Sequence, residues 1–230
     1  GSSGGAIYPP EGYWVEAQEI VNENDILLIA DEVMTGFGRT GFKFSCENYE
    51  IKPDIMIAGK GMSSGYAAIS GTYSTDKIAN SIMDAGYLVM FHTFAALPLS
   101  CAAASTVLGI MRREKLCEKV APLGERLKQK LTDALDHHPL VAEIRGKGLL
   151  IGIEIVKDKE KLISFDEQER ITDQIISKGL EEGVLFYPGG TGEYRDIVCL
   201  GPPYIIGDEE IDLIVDTLEK VLNQIQVKYS

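Results

Sequence analysis

The chain has 230 residues, 45% of them apolar and 25% charged, enough for one good core or for a large domain with a smaller one. Its formal net charge of −13 makes it a poor match for nucleic acid or an anionic membrane surface, and fits a well-solvated exterior. No apolar run is long enough to span a bilayer, residues 1–5 lack the charge and apolar stretch of a signal peptide, and Cys46, Cys101, Cys117 and Cys199 show neither metal-ligand nor disulfide spacing, so a reducing cytoplasm is the expected compartment.

In chain order, residues 12–22 read as a helix, followed by three apolar runs of strand length at 26–30, 55–58 and 67–73. Each run is bounded by Gly, Pro or charge, the pattern of buried strands in an α/β layer. From Pro98 the pattern turns helical. Residues 100–115 are Ala-rich and end in basic residues, as a helix C-terminus favours. Leu123, Leu127, Leu131 and Leu135 then recur every four residues along one helical face. A strand over 148–156 and a helix over 167–182 follow, then a strand-turn-strand region with its turn at Tyr187-Pro188-Gly189-Gly190. The closing helix, 209–224, places Ile211, Ile214, Leu218 and Leu222 on one face. The expected fold is α/β, split near residue 104 into part of a sheet domain (1–104) and a linking helix with a small α/β domain (105–230). His137 and His138 stand together before Pro139, and neighbours in a turn point in different directions, so no metal is expected there.

Two charges stand at the ends of apolar runs. Asp31 closes the first and Lys60 follows the second. Open α/β sheets bind ligands at the carboxyl ends of their strands, so opposite charges there mark a candidate site. An ion pair capping the sheet explains them equally well. The loop that follows Asp31, DEVMTGFGRTG, combines three glycines with a phenylalanine and an arginine, a mixture suited to sharp turns and close backbone approach. Asp31-Glu32 after an apolar run also has the form of a magnesium-binding strand end in an ATPase. The phosphate loop that should accompany it is missing: Gly59-Lys60 is followed by Gly61, and Gly146-Lys147 by Gly148.

DEVMTGFGRTG, however, is similar to the signature of class III aminotransferases, and PDIMIAGKG resembles their lysine motif. FHTFAALPLSCAAA, RGKGLLIGIEI and LGPPYIIGDEEIDLIVDTL resemble later family segments, in order along the chain. The resemblance implies a fold-type-I pyridoxal 5′-phosphate (PLP) transferase: a partial large-domain sheet with a C-terminal small α/β domain. It implies Lys60 as the residue forming the Schiff base and shuttling the proton, since a desolvated lysine loses its proton readily. It implies Asp31 as the partner of the pyridine nitrogen, Val33 against one ring face, and Thr93 on a phosphate, usually that of the partner subunit of a homodimer. The implied reaction moves an amino group from an amine or ω-amino acid to a 2-oxo acid.

Several positions depart from the family pattern. Met34 stands where many relatives carry glutamine. Ala95-Ala96-Leu97 replaces Ser-Gly-His beside Thr93. No arginine directly precedes Pro202-Pro203, and Arg195 lies out of register, so no carboxylate fork is assigned. Full-length relatives run to roughly double this size, which makes residues 1–5 look native and places the phosphate-cradling loop in a preceding half. The alternative expectation is therefore a truncated, non-catalytic fragment or split-enzyme subunit that needs a partner chain, with strand edges and apolar faces left uncovered.

Overall fold

The computed structural model describes residues 1–88, 92–192 and 195–229, apart from the side chain of Ser2. The backbone forms two compact units, Pro9–Glu118 and a second made of Gly1–Tyr8 with Lys119–Ser230. Compactness thus groups the whole helix after Pro98 with the first unit, and the first eight residues with the second.

In the first unit, helix α1 (Tyr13–Glu23) leads to strand β1 (Ile29–Asp31), a one-turn helix α2 (Ser45–Asn48) and strand β2 (Ile55–Ala58). A 3-10 turn (Lys60–Met62), strand β3 (Gly71–Ser74) and helices α3 (Asp76–Asp84) and α4 (Pro98–Arg113) follow. The sheet order is β1-β2-β3, with β1 parallel and β3 antiparallel to β2. Pro98 sits in the first turn of α4, where its missing N–H costs nothing. Lys115, at φ 52, ends that helix in the left-handed region.

The strands of this unit are shorter and more open than their apolar runs suggested. β1 begins only at Ile29, and β3 only at Gly71. Ile26, Leu27 and Ile29 are each about half exposed, and α1 buries no residue fully. The cause is topological: among the described residues β1 hydrogen-bonds to β2 alone, so its other edge and much of its apolar surface face outward.

The second unit is built around helix α5 (Leu116–Leu135), whose first turn belongs to the first unit. It continues with the hairpin β4 (Val141–Lys147) and β5 (Leu150–Ile155), helix α6 (Ile171–Glu181), strands β6 (Tyr187–Gly189) and β7 (Ile197–Leu200), and helix α7 (Asp208–Tyr229). All pairings in the sheet, β4-β5-β7-β6, are antiparallel. Leu127, Leu131 and Leu135 of α5 are fully buried with Ile153, Ile175, Ile211, Leu218 and Leu222, so the four-residue leucine period does face a core. A Cβ on Gly124 would lie 2.2 Å from the Gly148 carbonyl oxygen, so α5 meets the β4–β5 turn at a distance only glycine permits.

Three sequence expectations change here. Tyr187-Pro188-Gly189 is an edge strand, not a turn; Pro188 is tolerated because, among the described residues, β6 has a strand neighbour on one side only. The helix expected over 167–182 is interrupted at Arg170 (φ 45), which separates a 3-10 turn from α6. Strand β4 went unforeseen because Glu143 and Arg145 break its apolar alternation. Arg145 is nonetheless buried: its guanidinium binds Glu154 and Glu143 and donates from Nε to the Gly5 carbonyl at 2.9 Å. Gly5, which is buried, is therefore part of this unit's packing. Among the described residues, no helix is long and apolar enough to cross a membrane, and no group of three or more His, Cys, Asp or Glu could hold a metal ion.

Candidate active site

Parallel pairing of β1 with β2 sets Asp31 opposite Ile57, and Lys60 follows three residues later. Both charges therefore emerge at the carboxyl ends of adjacent parallel strands, where an α/β sheet opens a crevice. Both side chains are exposed, and no ion pair joins them among the described residues. That removes the plainer explanation, a salt bridge closing the sheet on itself.

Asp31 is held from its own loop: its Oδ1 accepts the Val33 N–H at 3.0 Å, a turn that aspartate forms two residues ahead of itself. Val33 is half-buried next to it. Lys60 occupies φ 39, a left-handed conformation that residues other than glycine seldom adopt and that surrounding structure must impose. The lysine turn is closed by the Ser64 N–H on the Lys60 carbonyl at 3.1 Å, and by the Ser63 hydroxyl on the Ala67 carbonyl at 2.6 Å. The Lys60 ammonium points at the Met34 thioether, Nζ to Sδ 2.7 Å. A thioether is a weak acceptor, so this contact orients the amine without neutralising its charge. Asp31, Val33, Met34 and Lys60 form one local cluster.

Thr93 lies in the turn ahead of α4. It is exposed and its hydroxyl makes no hydrogen bond among the described residues. Helix α4, which follows that turn, packs on the Lys60–Met62 turn. Phe91, which opens the same motif, falls outside the described residues. Arg195 is committed elsewhere, donating to the carbonyls of Gly192 and Phe165, each at 3.2 Å.

Glu32, next to Asp31, does different work. It is buried, accepting the Thr35 hydroxyl at 2.5 Å on one oxygen and the Cys46 N–H at 2.7 Å on the other. It thereby ties the loop to α2. Burial, and then the neighbouring Glu32 charge, push the Cys46 thiol up to about 11. The loop's glycines make this compactness possible. Gly38 takes φ 97, and a Cβ there would lie 2.7 Å from the Cys117 sulfur. Phe37 packs its ring on Phe44 with centroids 5.3 Å apart. Sequence reasoning weighed Glu32 only as half of a magnesium motif and Met34 only as a departure. The Asp-Glu pair at a strand end held the available signal, because adjacent strand-end residues diverge, one outward and one inward.

The family model for class III aminotransferases matches residues 1–222. An uncharacterised aminotransferase, YodT, of Bacillus subtilis is 36% identical over 98% of this chain and 52% of its own length. The diaminobutyrate–2-oxoglutarate transaminase of Halomonas elongata is 35% identical over 97% and 48%, and the taurine–pyruvate aminotransferase of Bilophila wadsworthia 34% over 99% and 51%. Among solved structures, a Bacillus anthracis aminotransferase superimposes with a TM-score of 0.90 at 35% identity, over 95% of this chain and 49% of that one. An ω-transaminase from Thermomicrobium roseum gives 0.89 at 33%. The chain thus spans about half the length of the relatives it matches, and its architecture is that of fold-type-I transaminases. On the matched span and these likenesses together, the chain belongs to the class III aminotransferase family, a family of enzymes.

Proposed function

We propose that this chain carries the lysine-bearing part of a centre for PLP-dependent transamination, moving an amino group from an amine or ω-amino acid to a 2-oxo acid. The observation that carries the reading is the placement of Asp31 and Lys60 at adjacent parallel strand ends, neither charge consumed by an ion pair among the described residues. Those residues fit the cofactor: an amine to hold its aldehyde carbon covalently, and a carboxylate at the same sheet edge for its ring nitrogen. When bound, PLP supplies the electron sink that makes the amine's carbon acidic.

The chain's own residues have distinct parts in this. Asp31, fixed by the Val33 N–H, presents a localised negative charge that keeps the ring nitrogen protonated. Lys60 would hold the cofactor through Nζ, and the same amine would carry the proton. Met34 sets the direction of that Nζ. Val33 packs against a ring face, and the Thr93 hydroxyl serves a phosphate, in a homodimer that of the neighbouring subunit. Residues 1–104 then contribute the C-terminal part of the PLP-binding large domain, and 105–230 the linking helix and small domain, in a cytoplasmic protein. The named activities of the Halomonas and Bilophila relatives, which use 2-oxoglutarate and pyruvate, support a 2-oxo acid as acceptor.

A second reading, a non-catalytic subunit completed by a partner chain, is favoured by the half-exposed apolar residues Ile26, Leu27 and Ile29 and by the half-length match. One titration separates the two. The chain is mixed with PLP and its absorbance followed, with Lys60→Ala as control. A visible band that borohydride bleaches, absent in the variant, supports a working cofactor site. PLP that washes out freely with no such band rejects it for the chain alone.

A further inference from the structure

We propose that a cavity in the first unit, sharing no residue with the Asp31–Lys60 cluster, binds an amphipathic anion: an apolar body ending in a single acidic group. The cavity encloses about 620 Å³, within the usual range for small-molecule sites. Its walls are the rings of Phe37, Phe42 and Phe44 together with Leu108 and Met111, and Cys117 also lines it. Burial raises the Cys117 thiol above its ordinary value, in keeping with a dry wall.

The charges around the opening are not balanced among themselves. Lys43, Arg112 and Lys115 line the cavity, are exposed, and make no ion pair among the described residues. The neighbouring Arg113, by contrast, is paired with Glu114 at 2.9 Å. Two carboxylates also line the cavity, and each has a local role. Glu47 accepts the Lys43 backbone N–H at 3.2 Å. Glu118 sits in the first turn of α5, where the helix dipole favours negative charge. The dipole of α4 accounts for Arg112 in its last turn. It accounts neither for Lys43, which comes from the glycine-rich loop, nor for Lys115, which lies between the two helices. Three cations converge from separate segments on an apolar chamber, and an acid with an apolar tail answers both features at once.

The test is calorimetric titration of the full chain with decanoate and, separately, with uncharged decanol, both below their aggregation limits. The expected result is one saturable site for decanoate. Binding should be about tenfold weaker for decanol, and about tenfold weaker for decanoate in Lys115→Glu, which turns one attraction into a repulsion. Leu108→Trp, which fills the chamber, should abolish it; if that variant melts early by circular dichroism, Phe42→Trp replaces it. Equal binding of acid and alcohol, or decanoate binding that survives both charge reversal and filling, overturns the proposal as mere surfactant uptake. So does a dimer, seen by sedimentation, that excludes decanoate from the cavity. None of these readouts depends on transamination.

Discussion

Glu32 offers the sharpest test of how the site loop is held. Its buried carboxylate accepts from Thr35 and from the Cys46 N–H, 14 residues downstream. Hydrogen bonds to a charged group contribute about 1.5–3 kcal/mol each, and a buried donor left unpaired costs a similar amount. Glu32→Ala strands both donors and should cost the first unit about 3–5 kcal/mol. Glu32→Gln keeps one acceptor but turns an amide N–H toward the other donor, and should cost about 1–2 kcal/mol. Trp14, the single tryptophan of the chain, lies in this unit, so its fluorescence in urea reports the relevant transition. Peptide-resolved alkylation supplies a second measurement. The Cys46 thiol titrates near 11 because of burial first and the Glu32 charge second. In Glu32→Gln the midpoint should move down but stay above 9.0, because burial remains. An unchanged urea midpoint in Glu32→Ala, or an unmoved Cys46 midpoint in Glu32→Gln, would refute the tether.

Three further outcomes follow from the packing. Gly38→Ala forces a side chain onto φ 97 and within 2.7 Å of the Cys117 sulfur, and should destabilise the first unit by about 1–3 kcal/mol in the same fluorescence assay. Leu131→Ala empties a fully buried position in the second unit and should cost about 2–5 kcal/mol, read by far-ultraviolet dichroism in urea, with the Trp14 transition unmoved. His138 is buried, its Nδ1 accepting the Leu140 N–H at 3.2 Å; burial and then the Lys159 charge hold its pKa below 6.5. The unfolded imidazole therefore takes up its proton first, so this contribution is whole above pH 6.5 and is lost as pH falls toward the lowered folded value. His138→Asn, which keeps an acceptor without titrating, should flatten the stability profile between about pH 7.5 and 5.5; a profile as steep as the parent's would contradict the assignment.

The two units were not equally legible in the sequence. In the second, a single strong period decided the matter: leucines every four residues make a helix face, of which Leu127, Leu131 and Leu135 are fully buried and Leu123 partly so. Where the second unit surprised, the local pattern was broken by residues serving a distant one. Arg145 looks like a surface charge but is buried, bound to the exposed Glu143, to Glu154 and to the Gly5 carbonyl, the last a contact 140 residues apart in sequence. In the first unit, β2 fell where its apolar run lay. The apparent burial of its neighbours did not follow, since hydrophobicity marks a strand that wants cover and says nothing about whether cover is present. At the site, Asp31 and Lys60 could be singled out by charge at strand ends. Their freedom from each other could not, because it depends on side-chain direction. Met34 illustrates the same limit: a position marked only by departure from the family pattern turns out to face the lysine.

This asymmetry ties the stability of the first unit to its function. The second unit has its own closed core. The first places the candidate site at the rim of a three-stranded sheet whose outer strand leaves Ile29 55% exposed. A unit with so little buried apolar surface has a small margin, and whatever binds its native form alone widens that margin by mass action. If Asp31 and Lys60 together hold PLP, then the cofactor at about 100 times its dissociation constant should raise the unfolding free energy of this unit by about 2.7 kcal/mol. The Trp14 transition should shift accordingly, while the second unit's transition stays where it was. Lys60→Ala should lose most of the shift, because the covalent link goes with the amine. Asp31→Asn should lose part of it, because an amide keeps the shape and drops the charge that favours a protonated ring nitrogen. A shift of the same size in all three proteins would place PLP elsewhere on the chain, on surface lysines that any aldehyde can reach, and would sever Asp31 and Lys60 from the cofactor.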